Sequence, residues 1–153
     1  MANDNISAFH QLLKQNNQRI TKARETTFKL LINHEPQTIR QIQAKAAGSV
    51  DRVSIYRSID LFEKLGIVHR VYVGWKYKLE LSDQFMPHHH HLSCLGCGKI
   101  INIQDEAHID TFVSEITQRY GFKPERHQFE IEGYCASCLK PSPKSAKILT
   151  ERG

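Results

Sequence analysis

Four cysteines, all that the chain contains, fall into two pairs, Cys94-Leu95-Gly96-Cys97 and Cys135-Ala136-Ser137-Cys138. Together they supply four soft thiolates, the tetrahedral set that closes a structural zinc site with Zn–S of about 2.3 Å. Two disulfides or two redox dithiols are the alternatives. The absence of a thioredoxin-like βαβ pattern, in a chain that reads as cytosolic, weighs against both. The run His88-His89-His90-His91 ends three residues before Cys94. Such a run resembles a purification tag, but this one is internal and adjoins a zinc ligand. Alternate side chains of an extended segment point to opposite sides, so His89 and His91 face one way and His88 and His90 the other. The run could therefore feed two separate metal sites. Imidazole suits Zn, Fe, Ni and Cu, and carboxylates complete a shell for Mn or Fe. A solvated His-rich loop is the plainer reading.

These residues need elements to position them. In the first half, Ile6, Phe9, Leu12 and Leu13 repeat at helical spacing. Thr21 can cap a second helix with Phe28, Leu31 and Ile32 as its apolar stripe. Thr38-Ile39-Arg40-Gln41 reads as a capping box opening a third helix, whose buried face is Ile39, Ile42 and Ala46 and which Gly48 ends. Asp51 caps a fourth, with a stripe of Ile55, Ile59, Phe62 and Leu65 stopped by Gly66. Tyr56, Arg57 and Asp60 fall off that stripe. Ile67–Val73, the turn Gly74-Trp75 and Lys76–Leu81 read as a β-hairpin, with Tyr77, Leu79 and Leu81 on one face and Lys76, Lys78 and Glu80 on the other. Helices followed by a two-stranded wing make a winged helix-turn-helix; a small α+β domain without a DNA role is the alternative.

The predicted organisation is α+β: a winged-helix DNA-binding domain over residues 1–81, a hinge with metal ligands over 82–91, and a small α/β dimerisation and metal-binding domain over 92–138. A basic tail, 139–153, reads as disordered. In the second module Lys99–Gln104 reads as a strand. Ile109, Phe112, Val113, Ile116 and Tyr120 form a helix ended by Gly121, and His127–Glu132 reads as a second strand. Two strands and one helix bury too little apolar surface to stand alone, so they are expected to pair with a second subunit.

Composition fits a soluble globular chain, 40% hydrophobic and 24% charged. The net charge of +5 is unevenly spread: residues 1–81 hold 13 Lys/Arg against 7 Asp/Glu, residues 82–138 hold 4 against 8, and the tail holds 4 against 1. A basic first half suits DNA phosphates, whose neutralisation releases counterions, although a solvated basic surface would look the same. Met1-Ala2-Asn3-Asp4-Asn5 has neither the basic nor the apolar region of a secretory signal, and no apolar run approaches a membrane span, so a cytoplasmic location is expected.

Residues 88–101, His-His-His-His-Leu-Ser-Cys-Leu-Gly-Cys-Gly-Lys-Ile-Ile, resemble the signature of the ferric uptake regulator family. So do Ser54-Ile55-Tyr56-Arg57 with Leu61, Glu63, Gly66 and Val68, Arg19-Ile20-Thr21 with Arg24, and Gly133-Tyr134-Cys135-Ala136-Ser137-Cys138. The similarity spans about residues 8 to 139, with its motifs in family order. It implies a homodimer whose metal-loaded form binds palindromic double-stranded operators, usually to repress, with no membrane and no small-molecule substrate. It implies that Tyr56 and Arg57 contact bases or backbone in the major groove and that Arg19 reaches phosphates or the minor groove, with Arg52 among the DNA-binding residues. Cys94, Cys97, Cys135 and Cys138 match the structural Zn2+ ligands. Glu80, His89 and His91 match a regulatory site, to which His34 or His69 could add a ligand. His88, His90, Asp110 and His127 match an additional site.

Three departures bear on the metal. Asn102 stands where many members carry an acidic ligand, which weighs against a peroxide sensor. His90 stands where iron regulators often have Asp, and Glu80 where zinc-responsive members often have Cys. The second ion is therefore Fe2+ or Zn2+ first, with Mn2+ or nickel behind. Alternatives of other kinds are a zinc-stabilised DNA-binding protein without metal sensing, a peroxide-sensing member of the same family, and a metalloenzyme. Four thiolates leave no open zinc position for water, and no nucleophile-base pairing or His-Glu-x-x-His motif is readable, so an enzyme is not expected.

Overall fold

The computed structural model describes residues 2–32, 35–103, 107–125 and 127–139. His34, Gln104 and the tail from residue 140 onward lie outside the described residues. The chain divides into two compact units, Met1–His88 and His89–Gly153.

Unit 1 contains helices α1 (Ala2–Gln15), α2 (Lys22–Lys29), α3 (Ile39–Ala46) and α4 (Arg52–Lys64), followed by the antiparallel hairpin of β1 (Val68–Val73) and β2 (Lys76–Leu81). This is the element order expected of a winged helix. Local sequence sets the helix starts. The Thr21 hydroxyl accepts from the Arg24 N–H at 3.3 Å and the Asp51 carboxylate from the Ser54 N–H at 3.0 Å. At α3 the capping box is complete: the Gln41 N–H donates to the Thr38 hydroxyl at 3.2 Å, and the Thr38 N–H donates to the Gln41 side chain at 2.8 Å. α2 ends at Lys29, one turn earlier than its stripe suggested; Leu31 and Ile32 lie beyond it and are still buried.

The core of unit 1 is aromatic at its centre. Phe9 of α1 stacks on Phe28 of α2, with ring centroids 4.1 Å apart, and meets Phe62 of α4 edge-on at 5.3 Å. Ile42, Ile55, Ile59, Ile67 and Leu79 close around them. Phe85, from the segment read as hinge, joins this core against Phe28 at 5.0 Å, and the Asn5 amide donates to its carbonyl at 2.9 Å. Residues just after the wing are thus anchored to the helices. Gln37 forms an isolated bridge with Leu79, its N–H and carbonyl both engaged at 2.9 and 2.7 Å, tying the wing to the turn before α3.

Unit 2 is a three-stranded sheet with one helix. β3 (His90–Cys94) is central, antiparallel to β4 (Ile100–Ile103) and parallel to β5 (Glu130–Gly133); α5 (Ala107–Arg119) connects β4 to β5. Two expectations need correction. The His run is not wholly loop, because His90 and His91 belong to the central strand, paired on both sides. The last strand is shorter than His127–Glu132, since His127 and Phe129 precede it. No residue of α5 is buried; Phe112 and Ile116 on it, Tyr120 just after it, and Ile101 and Ile131 on the sheet remain exposed. So much uncovered apolar surface is what a chain that pairs with a partner presents. Among the described residues no helix is long and apolar enough to cross a membrane.

Candidate metal centres and nucleic-acid interface

Cys94 ends β3 and Cys97 lies in the turn closed by the Gly98 N–H donating to the Cys94 carbonyl at 2.8 Å. Cys135 follows β5, and the Cys138 N–H donates to the Cys135 carbonyl at 2.8 Å, making the matching turn. The parallel pairing of β3 with β5 sets Cys94 opposite Gly133 and so brings the two turns together. All four sulfurs lie within 4.8 Å of one another, and those of Cys97 and Cys135 are 3.8 Å apart. A tetrahedral ion with bonds of about 2.3 Å requires sulfurs about 3.8 Å apart, so the cage has the size of a zinc shell. Gly96 is required for that closure, because a Cβ there would lie 2.9 Å from the Cys138 sulfur.

The electrostatics of the cage also call for a cation. The Cys135 N–H, donating to the Cys94 sulfur at 3.3 Å, leads the backbone hydrogen bonds that pull the Cys94 thiol down to about 6. Hydrogen bonds to Cys135, then Cys94 and Cys97, push Cys138 up to about 12. One thiolate thus forms readily, but a last one beside it is strongly opposed without a positive charge to offset the repulsion. The donor set and the cage size both fit Zn2+.

The histidines fall on two sides of the strand, as alternation requires. His89 and His91 have ring centroids 4.7 Å apart. His90 turns the other way, 5.4 Å from the His127 ring, and His127 Nε2 is 3.4 Å from a carboxylate oxygen of Asp110 in the first turn of α5. His90, Asp110 and His127 offer ligand atoms within 4.8 Å of one another, a mixed nitrogen and oxygen set. In unit 1, His88 Nδ1 lies 2.7 Å from a carboxylate oxygen of Asp83. Glu80 is buried near the base of the wing, opposite His69 on β1, with 3.4 Å between Glu80 Oε2 and His69 Nε2. Its burial was not expected of a residue on the polar face of the hairpin. Asn102 pairs with His91 across β3 and β4.

Tyr56 and Arg57, expected to contact DNA, project from the exposed face of α4, and the Arg52 guanidinium lies 5.5 Å from the Tyr56 ring centroid. Between them Ser58, Ile55 and Ile59 are buried, so the helix packs without using its basic face. Arg19 is exposed in the loop before α2, where the Arg24 guanidinium donates to its carbonyl. Sequence reasoning missed a bracing pair. The Arg70 guanidinium of β1 donates to both carboxylate oxygens of Glu63 on α4, at 2.9 Å for Nη2. That carboxylate raises the Arg70 pKa further. The two residues seven apart carried opposite charges, but only the fold shows that they meet.

A helix with exposed Arg52, Tyr56 and Arg57 beside a hairpin, in a chain that also carries a four-sulfur cage, is the pattern of a metal-binding transcription regulator. The ferric uptake regulator family model matches residues 15–132, and the chain belongs to that family. It is 29% identical over 146 residues to the ferric uptake regulation protein of Campylobacter jejuni, covering 91% of each chain. With the Campylobacter upsaliensis protein of the same name it shares 30% over 142 residues, 87% of this chain and 88% of the relative. A structure of the Helicobacter pylori ferric uptake regulator, described as revealing three functional metal-binding sites, has the same fold: the TM-score is 0.75 at 21% identity, over 92% of this chain and 95% of that one. Family regulators are dimeric DNA-binding proteins, and this chain is a metal-responsive transcription regulator.

Proposed function

We propose that this regulator represses genes of iron or zinc homeostasis by binding palindromic operators when its regulatory site is filled. Residues 1–81 act as the DNA-binding domain, 82–91 as the hinge and 92–138 as the dimerisation and metal-binding domain. Tyr56, Arg57, Arg52 and Arg19 meet the operator. The protein works in the cytoplasm, where the DNA is, and catalyses no reaction.

The observation that carries this reading is the separation of donors by type. Sulfur donors are gathered in one closed cage, while imidazoles and carboxylates are gathered apart from it. Thiolates select zinc, and mixed nitrogen and oxygen sets suit Fe2+, Zn2+ or Mn2+. Cys94, Cys97, Cys135 and Cys138 hold a structural Zn2+. Glu80, His89 and His91 are the regulatory ligands for Fe2+ or Zn2+, with His69 beside Glu80 able to add a fourth. His34, the other contender for that place, lies outside the described residues. His88, His90, Asp110 and His127 form an additional site. The Helicobacter pylori relative, described as having three functional metal-binding sites, supports three sets.

A filled regulatory site supplies a fixed link between ligands from the two units. In the sequence Glu80 closes the wing, while His89 and His91 follow the hinge segment. Holding them together restricts the angle between the units, and a two-fold dimer must present its recognition helices at the half-site spacing. Bonds made only in that arrangement supply the differential affinity that shifts the population toward it.

The test is elemental analysis of protein purified from its native host, coupled to duplex binding before and after a chelator that leaves the four-thiolate zinc in place. Loss of binding with one zinc per chain retained is the expected result. Full binding after removal of every other ion would favour a zinc-stabilised regulator without sensing. Loss of binding on peroxide treatment would favour the peroxide-sensing alternative.

A further inference from the structure

The segment after the wing holds a carboxylate that none of the three ligand sets claims. Asp83 Oδ2 lies 2.7 Å from Nδ1 of His88, five residues further on. That is the short end of the range for a charge-assisted bond between a nitrogen donor and a carboxylate.

The chain between the two is already held in place. The Phe85 N–H donates to the Ser82 carbonyl at 2.9 Å, closing a turn that contains Asp83. The Phe85 ring is buried against Phe28, and the Asn5 amide of α1 holds the Phe85 carbonyl at 2.9 Å. Met86 packs on the same core, and the ring of Pro87 fixes φ just before His88. Pairing therefore orders two side chains on a fixed backbone and loses little chain entropy. The His88 side chain is 26% exposed and that of Asp83 50%, so neither fills the core and either can be replaced without opening it.

The pair is directional. A carboxylate only accepts, and a neutral imidazole has one N–H and one lone pair. With the Nδ1–H given to Asp83, Nε2 keeps the lone pair that a metal ion needs. The carboxylate also makes that nitrogen a better donor, as partners behind ligating histidines do in general.

We propose that Asp83 is a positioning residue for the additional metal site, holding His88 in the Nδ1–H tautomer and so presenting Nε2 to a divalent cation such as Zn2+, Fe2+ or Co2+. The proposal rests on the reading above that His88, with His90, Asp110 and His127, forms that site.

The test uses the full-length, zinc-containing protein with His89 and His91 replaced by Ala, so that the regulatory ligands do not compete. Before further metal is added, a long-range proton–nitrogen correlation spectrum at pH about 8.5, above the ordinary histidine range, distinguishes the tautomers. The His88 signals are those lost in His88→Ala. The proposal requires Nδ1 of His88 to carry the proton, and this preference to disappear in Asp83→Ala. Co2+ is then titrated and followed by its visible absorption. Asp83→Ala should bind it about 10–100-fold more weakly, with zinc content and circular dichroism unchanged, and Asp83→Asn, which keeps an acceptor, should recover part of the loss. Weaker binding with the tautomer unchanged would assign Asp83 to charge alone and overturn the positioning role. Tighter binding in Asp83→Ala would make Asp83 a competitor for the ring and overturn it too. His88→Ala separates the two readings. If it binds Co2+ like its parent, the additional-site reading fails and the proposal falls with it. If it loses the ion while Asp83→Ala keeps it, the site stands and the proposal alone is wrong.

Discussion

His69 and Glu80 face each other across the two strands of the wing, with Nε2 and Oε2 3.4 Å apart and the glutamate side chain almost completely buried. A carboxylate so placed has lost its hydration and must be compensated by a proton, a cation or hydrogen bonds. We propose that a metal ion bound at the base of the wing is one of these compensating charges.

Replacing Cys97 by Ser should remove about one zinc per chain and destabilise the dimer, since zinc-binding energy is also folding energy. Elemental analysis and sedimentation at matched concentration check this. Full zinc content with unchanged dimerisation would contradict the structural assignment.

Gly96→Ala tests the cage more gently, because it leaves every ligand in place. Its methyl group would lie 2.9 Å from the Cys138 sulfur, so the sulfur must retreat from the cage. Competition with a chromophoric chelator should show zinc affinity lowered about 10–100-fold, the size of effect seen when ligand positioning is disturbed. Parent-like affinity would mean that Cys138 is not held against this turn.

The thiol pKa values set how zinc binding depends on pH. Cys138, at about 12, must release a proton on binding at any pH below that, whereas Cys94, at about 6, is already a thiolate at pH 7.5. Lowering pH through 6 protonates Cys94 in the free cage, so zinc affinity falls more steeply there. Calorimetry in buffers of different ionisation enthalpy should find about one more proton released per zinc at pH 5 than at pH 7.5. The same count at both would place the Cys94 thiolate wrongly. Taken alone, the depressed Cys94 pKa adds stability to the metal-free fold that is fully present above the unfolded thiol value, near 9, and lost as pH falls through about 6.

Arg57→Ala should weaken operator binding and leave metal content intact, because Arg57 lies on the exposed face of α4 away from Ile55, Ile59 and Phe62. Loss of one specific base contact costs about 1–3 kcal/mol and relaxes specificity at that base pair. A uniform loss on all sequences would instead assign Arg57 to phosphate. Equal affinity at matched salt would remove it from the interface.

Much of this architecture was legible in the sequence, and the reasons differ between the two units. In unit 1 each helix carries its own start signal, and Thr38 with Gln41 or Asp51 with Ser54 act locally, so caps and stripes could be read residue by residue. Phe85 was missed because a single aromatic after Ser82 and Asp83 looks like linker until the cavity beside Phe28 is known. In unit 2 the central strand was missed because His-His-Leu-Ser-Cys has no apolar alternation. Its burial comes from pairing on both sides with β4 and β5, which are distant in sequence. The cysteine spacing announced the four-sulfur cage directly. The wing's polar face, by contrast, hid a buried Glu80, because periodicity assigns a face without saying what covers it.

The central proposal is that metal acts through Glu80, His89 and His91. It is tested most directly by titrating Zn2+ or Mn2+ into three proteins at fixed salt and following the anisotropy of a labelled duplex. The three are the parent, His89→Ala with His91→Ala, and His88→Ala with His90→Ala. The account expects the parent to gain affinity with metal and the His89/His91 variant to remain a zinc-containing dimer without that gain. It expects the His88/His90 variant to keep most of its response. A response lost only in the His88/His90 variant would contradict it and move the switch to the site of His90, Asp110 and His127.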